Sequence, residues 1–171
     1  MIADPKLLTA EDVWQINDDA PVELIRGELR ETPAGGLRHG GIGSDVAVEL
    51  GMYGRETKSR RVFTSETGGI ISQSPTTLLV PDPKALLRFA EIAPDVVLEI
   101  LSPSQRFADL IEKTGLYLKI GVPLFWLADP ERRAITALTP DGSVRVYQSG
   151  KTLDGGDVLP GFSVPVDRLF P

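Results

Sequence analysis

Two hydrophobic periods meet in the middle of this chain. In "DVVLEILSPS", residues 95–104, a period of two places Asp95, Val97, Glu99 and Leu101 on one face and Val96, Leu98 and Ile100 on the other, which predicts a strand. The next stretch, "SPSQRFADLIEKTGLYLKI", has apolar residues at 107, 110, 111, 117 and 118, the spacing of one helical face. "GVPLFWLADP" then supplies a helix stop and a second strand over 124–127. Residues 95–127 are therefore expected to form a β-α-β unit with parallel strands and a right-handed crossover.

The flanking pattern is less regular. In "LTAEDVWQI", Thr9 is positioned as an N-cap and Asp12 falls at the third helical position, which predicts a short first helix. "VELIRGELRET" reads as a hairpin turning at Arg26-Gly27. The spacing of Ile42, Val46, Leu50 and Tyr53 predicts a long amphipathic helix over 37–58, despite the glycines between Gly40 and Gly54. Short strands are expected near 61–63, 69–72 and 77–80, whereas "PDPKALLRFAEIAP" fits a helical turn or a loop equally well. "AITALTPDGSVRVYQ" predicts a hairpin around Pro140-Asp141-Gly142, and "LPGFSVPVDRLF" a short tail packed on the body. The expected architecture is α/β, with a mixed central β-sheet flanked by helices and an extra C-terminal hairpin. A length of 171 residues suits a single domain, 1–171.

Composition narrows the chemistry. The chain has no cysteine and one histidine, His39, so cysteine nucleophiles, thiolate zinc and multi-histidine metal sites are excluded. Ser102 and Ser104 read as helix capping around Pro103, and with a single histidine a serine hydrolase is not expected. Oxygen ligands remain, and they favour hard cations such as Mg²⁺ or Mn²⁺. The net charge of −6 does not announce non-specific nucleic-acid binding, which leans on clustered Lys and Arg. No signal-peptide pattern opens the chain and no stretch is long and apolar enough to span a bilayer. The expected location is the cytoplasm.

Glu99 raises the functional question, since it lies among apolar residues where an ionised carboxylate needs a partner. Lys113 borders the apolar stripe of the following helix and can reach the sheet surface. A second carboxylate could come from Asp82 or Asp95. Asp95 lies four strand residues from Glu99, roughly 13 Å at a rise of about 3.3 Å per residue, too far for one cation. Asp82 can sit beside Glu99 if the strand over 77–80 pairs with the strand over 95–101.

The string "APDVVLEILSPSQRFADLIEKTGLYLKIGVPLFWLADPERRAIT" resembles the signature of the Uma-type restriction endonuclease family, within the PD-(D/E)XK nuclease superfamily. "LTAEDVWQINDDAPVELIRGEL" and "LPGFSVPVDRLF" are similar to that family's start and end. The resemblance implies a restriction-endonuclease-like core and Mg²⁺-dependent cleavage of phosphodiester bonds, with DNA as substrate. It maps the proline–aspartate motif to Pro81-Asp82 and the second acidic position to Glu99. The superfamily's lysine usually stands two residues after that acid, where this chain has Leu101, and the resemblance assigns the role to Lys113. It further implies the carbonyl of Ile100 as a metal ligand and brings Glu23 into the candidate site. Pro83 departs from the family pattern, which continues an apolar strand there.

The expectation is thus a metal-dependent endonuclease with Asp82, Glu99, Lys113 and Glu23 as catalytic residues and Asp82, Glu99 and Ile100 around the metal. A homodimer would suit the cutting of two strands. The contrasting expectation, prompted by the net charge of −6, is a catalytically silent nuclease fold serving as a binding or scaffold protein.

Overall fold

The computed structural model describes residues 7–15, 22–31, 36–58, 62–63, 69–73, 76–79, 93–103 and 107–170. In chain order the elements are α1 (Ala10–Gln15), β1 (Val22–Ile25), β2 (Glu28–Glu31), α2 (Leu37–Thr57), β3 (Gly69–Gln73), β4 (Thr76–Leu79), β5 (Val96–Ile100), α3 (Phe107–Lys119), β6 (Leu124–Asp129), β7 (Ala134–Leu138), β8 (Val144–Gln148), β9 (Thr152–Gly155), β10 (Leu159–Pro165) and a closing 3₁₀ turn, η1 (Val166–Leu169). They divide into two compact units, Met1–Ala34 with Thr64–Ile92 and Gly35–Phe63 with Ala93–Pro171.

The first unit is an antiparallel sheet in the order β2-β1-β4-β3, with α1 at its start. Thr9 and Asp12 cap α1 reciprocally: the Asp12 amide donates to Thr9 Oγ1 at 3.2 Å and the Thr9 amide donates to Asp12 Oδ2 at 2.8 Å. That is the capping-box arrangement, with aspartate in the acidic position. The β1–β2 turn is Arg26-Gly27, with both φ angles positive, 54° and 83°, as a two-residue turn of the type that follows strand twist requires. Gly27 has a second reason to be glycine, because a Cβ there would lie 2.7 Å from Leu7 Cβ. The Leu8 amide donates to the Gly27 carbonyl at 2.8 Å. Leu8 also packs beside the buried pair Val13 and Leu24.

The second unit carries the expected β-α-β arrangement. β5 and β6 are parallel, with Val97 opposite Phe125 and Glu99 opposite Leu127, and β7 and β8 extend the sheet antiparallel in the order β5-β6-β7-β8. On one face Ile42 and Val46 of α2 join Ile100, Trp126, Ile135 and the apolar residues of β9, β10 and η1 in one core. Phe162 links the layers, its ring centroid 5.6 Å from both Trp126 and Tyr53. On the other face α3 packs through Tyr117 against Phe125, with centroids 5.8 Å apart. Helices thus flank a mixed sheet on both faces, as the pattern predicts.

Three expectations change. Val62 and Phe63 are not in a strand. The C-terminal tail, expected only as a short packed tail, contains the strand β10, paired antiparallel with β9. On α3, Phe107 and Ile111 are 75% and 56% exposed, so the buried stripe is Leu110, Lys113 and Tyr117. The segment 81–92 and Ser104 lie outside the described residues.

Candidate active site

Glu99 is the fourth residue of β5 and is half-buried, less enclosed than the alternating pattern implies. Ile100 and its alternates Val96 and Leu98 belong to the α2-facing core. Strand alternation therefore turns Val97 and Glu99 to the opposite face, the one that α3 covers.

Lys113 sits in the middle of α3's buried stripe and is only 7% exposed. Its height over the sheet follows from the ring contact next to it. A parallel β-α-β unit returns its helix antiparallel to the strands, so a step toward the start of α3 is a step toward the ends of β5 and β6. From Tyr117 back to Lys113 is four helical residues, about 6 Å. From Phe125 on to Leu127 is two strand residues, about 6.6 Å. With Tyr117 against Phe125, Lys113 stands at the level of Leu127, whose register partner is Glu99. By these ideal rises the two side chains fall at about the same height on the face that α3 covers, and each has interaction partners.

Ile100 offers its backbone. The Leu101 amide donates to the Ala128 carbonyl at 2.9 Å, so residues 99 and 101 direct their peptide groups toward β6. Alternation sends the Ile100 carbonyl to the other side of β5, where no strand pairs with it among the described residues.

Asp129 ends β6 on the same face as Phe125 and Leu127, but it is already used. Its Oδ1 accepts the amides of Glu131 and Arg132 at 3.0 Å and its Oδ2 accepts Arg132 Nη1 at 2.8 Å. Burial pushes its carboxyl up, and these donors together outweigh it and hold the group below the usual range. Asp129 therefore closes the β6–β7 turn. Asp95 is exposed just before β5 begins, in keeping with its exclusion on distance.

Glu23 stands on β1, opposite Arg30 of β2, and is only 6% exposed. A hairpin carboxylate is ordinarily solvated, so its burial is not foreseeable from the sequence pattern. Among the described residues, Glu23 and Lys113 are the buried charged side chains. Both are candidates that the sequence singles out. Asp82 lies outside the described residues. Among the described residues β4 has β1 and β3 as its neighbours. His39 is half-buried in the first turn of α2. No group of three or more His, Cys, Asp or Glu side chains capable of holding a metal occurs among the described residues.

A family model described as "Putative restriction endonuclease", Uma2, matches residues 8–167. The chain belongs to the Uma2 family. The fold is similar to that of a crystal structure from Anabaena variabilis described as a "putative nuclease belonging to DUF820", at 20% identity and a TM-score of 0.79, covering 95% of this chain and 97% of that one. No curated protein matches the chain. No helix among the described residues is long and apolar enough to cross a membrane.

Proposed function

We propose that this Uma2 chain is a metal-dependent endonuclease that hydrolyses DNA phosphodiester bonds, with Glu99 and Lys113 at its centre and Asp82 and Glu23 as further carboxylates. The observation that carries the reading is the burial of Lys113 in an otherwise apolar stripe, facing the strand surface that bears Glu99. An ammonium withdrawn from water is costly without an anionic partner, and a lysine with no role beyond solubility would stand where Ile111 stands.

The donor chemistry fits a hard cation. Glu99 offers a carboxylate and Ile100 a carbonyl on the side of β5 facing away from β6, and the family resemblance adds Asp82. Oxygen donors of this kind suit Mg²⁺ or Mn²⁺. When bound, such a cation polarises a phosphate and lowers the pKa of a water molecule. Lys113 would orient the attacking water and stabilise the negative charge that builds on the phosphate oxygens. Glu99 would hold its place by facing Lys113 across the α3 layer. DNA is the proposed substrate, the cytoplasm the proposed location and a homodimer the proposed assembly, since two copies can cut both strands of a duplex.

Titration calorimetry with MnCl₂ tests the metal. Saturable binding at millimolar concentration or below, with a rise in melting temperature, is expected, since a ligand at a hundredfold excess over Kd stabilises the folded state by about 2.7 kcal/mol. No heat and no thermal shift at about 10 mM would favour the silent-scaffold reading.

A further inference from the structure

We infer that Tyr117 is a positioning residue for Lys113: its ring, seated on Phe125, sets the height at which α3 presents the ammonium to Glu99. This rests on the Glu99–Lys113 pairing of the proposed function and adds the device that makes it.

Tyr117 is buried, one turn beyond Lys113 on the same stripe of α3. Its ring centroid lies 5.8 Å from that of Phe125 at an interplanar angle of 36°. Phe125 is fully buried and lies opposite Val97, two residues before Glu99 on the same face. The chain from Lys113 to Glu99 thus runs through one helical turn, one ring contact and one strand pair. At the beginning of the helix Leu110 is buried in the same stripe, whereas Phe107 and Ile111 are exposed, and among the described residues the ring contact of α3 with the sheet is the one at Tyr117. The end of α3 is fixed as well, since the Val122 amide donates to the Tyr117 carbonyl at 3.1 Å. A sliding or tilting of α3 by even about 1.5 Å, the rise of one residue, would take the ammonium off the level of Glu99.

A purely structural tyrosine would add stability without knowing about Glu99. A positioning tyrosine couples Glu99 to Lys113. The experiment is a double-mutant cycle on Glu99→Gln and Lys113→Met, read by urea denaturation of the full chain, in the parent and in Tyr117→Phe, Tyr117→Leu and Phe125→Leu backgrounds. In the parent the pair should show a coupling of about fivefold or more in the folding equilibrium constant, the scale of directly interacting residues. Tyr117→Phe keeps the ring and should keep the coupling. Tyr117→Leu and Phe125→Leu should each reduce it to near onefold, whatever they do to overall stability. If Tyr117→Leu does not fold, Phe125→Leu decides the matter from the other side of the contact. Coupling that survives loss of either ring overturns the role of Tyr117 and leaves the Glu99–Lys113 pairing intact. Absence of coupling in the parent overturns both.

Discussion

The Leu101 amide donates to the Ala128 carbonyl at 2.9 Å, and that one bond determines which way the last residues of β5 face. It commits residues 99 and 101 to the β6 ladder and turns the Ile100 carbonyl to the side of β5 that no strand among the described residues pairs with, next in sequence to the half-buried carboxylate of Glu99. A backbone oxygen and a carboxylate at the end of one strand, with a buried lysine on the covering helix, make a small set of groups with a defined chemistry.

Lys113→Ala should be costly. A surface lysine is worth less than about 0.5 kcal/mol, whereas removing this buried one leaves a gap under α3 and, if the proposed pairing holds, a carboxylate at Glu99 without its cation. A loss of roughly 1–3 kcal/mol is expected, below the range for a fully buried pair because Glu99 is half-exposed. Urea denaturation measures it. A variant as stable as the parent would return Lys113 to the solvent-facing class, and unchanged cleavage would remove it from the mechanism.

Gly27→Ala should destabilise the first unit for two independent reasons. The residue has φ of 83°, and its new Cβ would fall 2.7 Å from Leu7 Cβ. The left-handed conformation alone costs about 1–2 kcal/mol for a side chain, and the close approach requires Leu7 to move. The midpoint of denaturation should fall accordingly. An unchanged midpoint would mean that the hairpin relaxes into another turn.

The β7–β8 turn predicts a pH dependence. Asp141 accepts the Thr139 hydroxyl and the Ser143 amide and hydroxyl, and the Thr139 bond, followed by the two from Ser143, holds its carboxyl down at about 2. An unfolded aspartate titrates near 3.9. The folded value is the lower one, so the charged form is favoured by folding: this contribution is complete above about pH 4 and disappears as pH falls through about 2. The melting-temperature gap between the parent and Asp141→Ala should therefore narrow across that window. A gap constant from neutral pH down to about 2 would contradict it.

Much of this architecture is legible in the sequence because local rules and tertiary packing agree there. Thr9 and Asp12 cap α1, Arg26-Gly27 turns the first hairpin, and the strand-helix-strand pattern around Glu99 forms with its strands parallel. The disagreements have physical causes. Phe107 and Ile111 satisfy helical spacing as well as Leu110 does, but α3 rolls toward Leu110, Lys113 and Tyr117, where Phe125 offers a ring to pack on. Periodicity scores a lysine as polar and cannot show that its chain lies in the stripe. Glu23 is hidden for a similar reason, since burial on a four-residue strand depends on what covers it. Adjacency of strands is not a local property at all. β4 has β1 and β3 on its two sides, which residue spacing along 77–101 does not reveal. Asp82 lies outside the described residues, and the use of Ile100 as a ligand belongs to the proposal through the family resemblance, not through residue spacing.

The most direct test of the central claim is plasmid nicking by the parent and by Glu99→Gln, each with and without Mn²⁺. Glutamine keeps the shape of the side chain and removes the charge, so the carboxylate ligand is lost, at a cost in stability that the double-mutant cycle measures. The account predicts nicking by the parent only when Mn²⁺ is present, and a loss of about 100-fold or more in Glu99→Gln, the scale of removing a group that acts on the reacting centre. Mn²⁺-dependent nicking by Glu99→Gln at the parent's rate would contradict it.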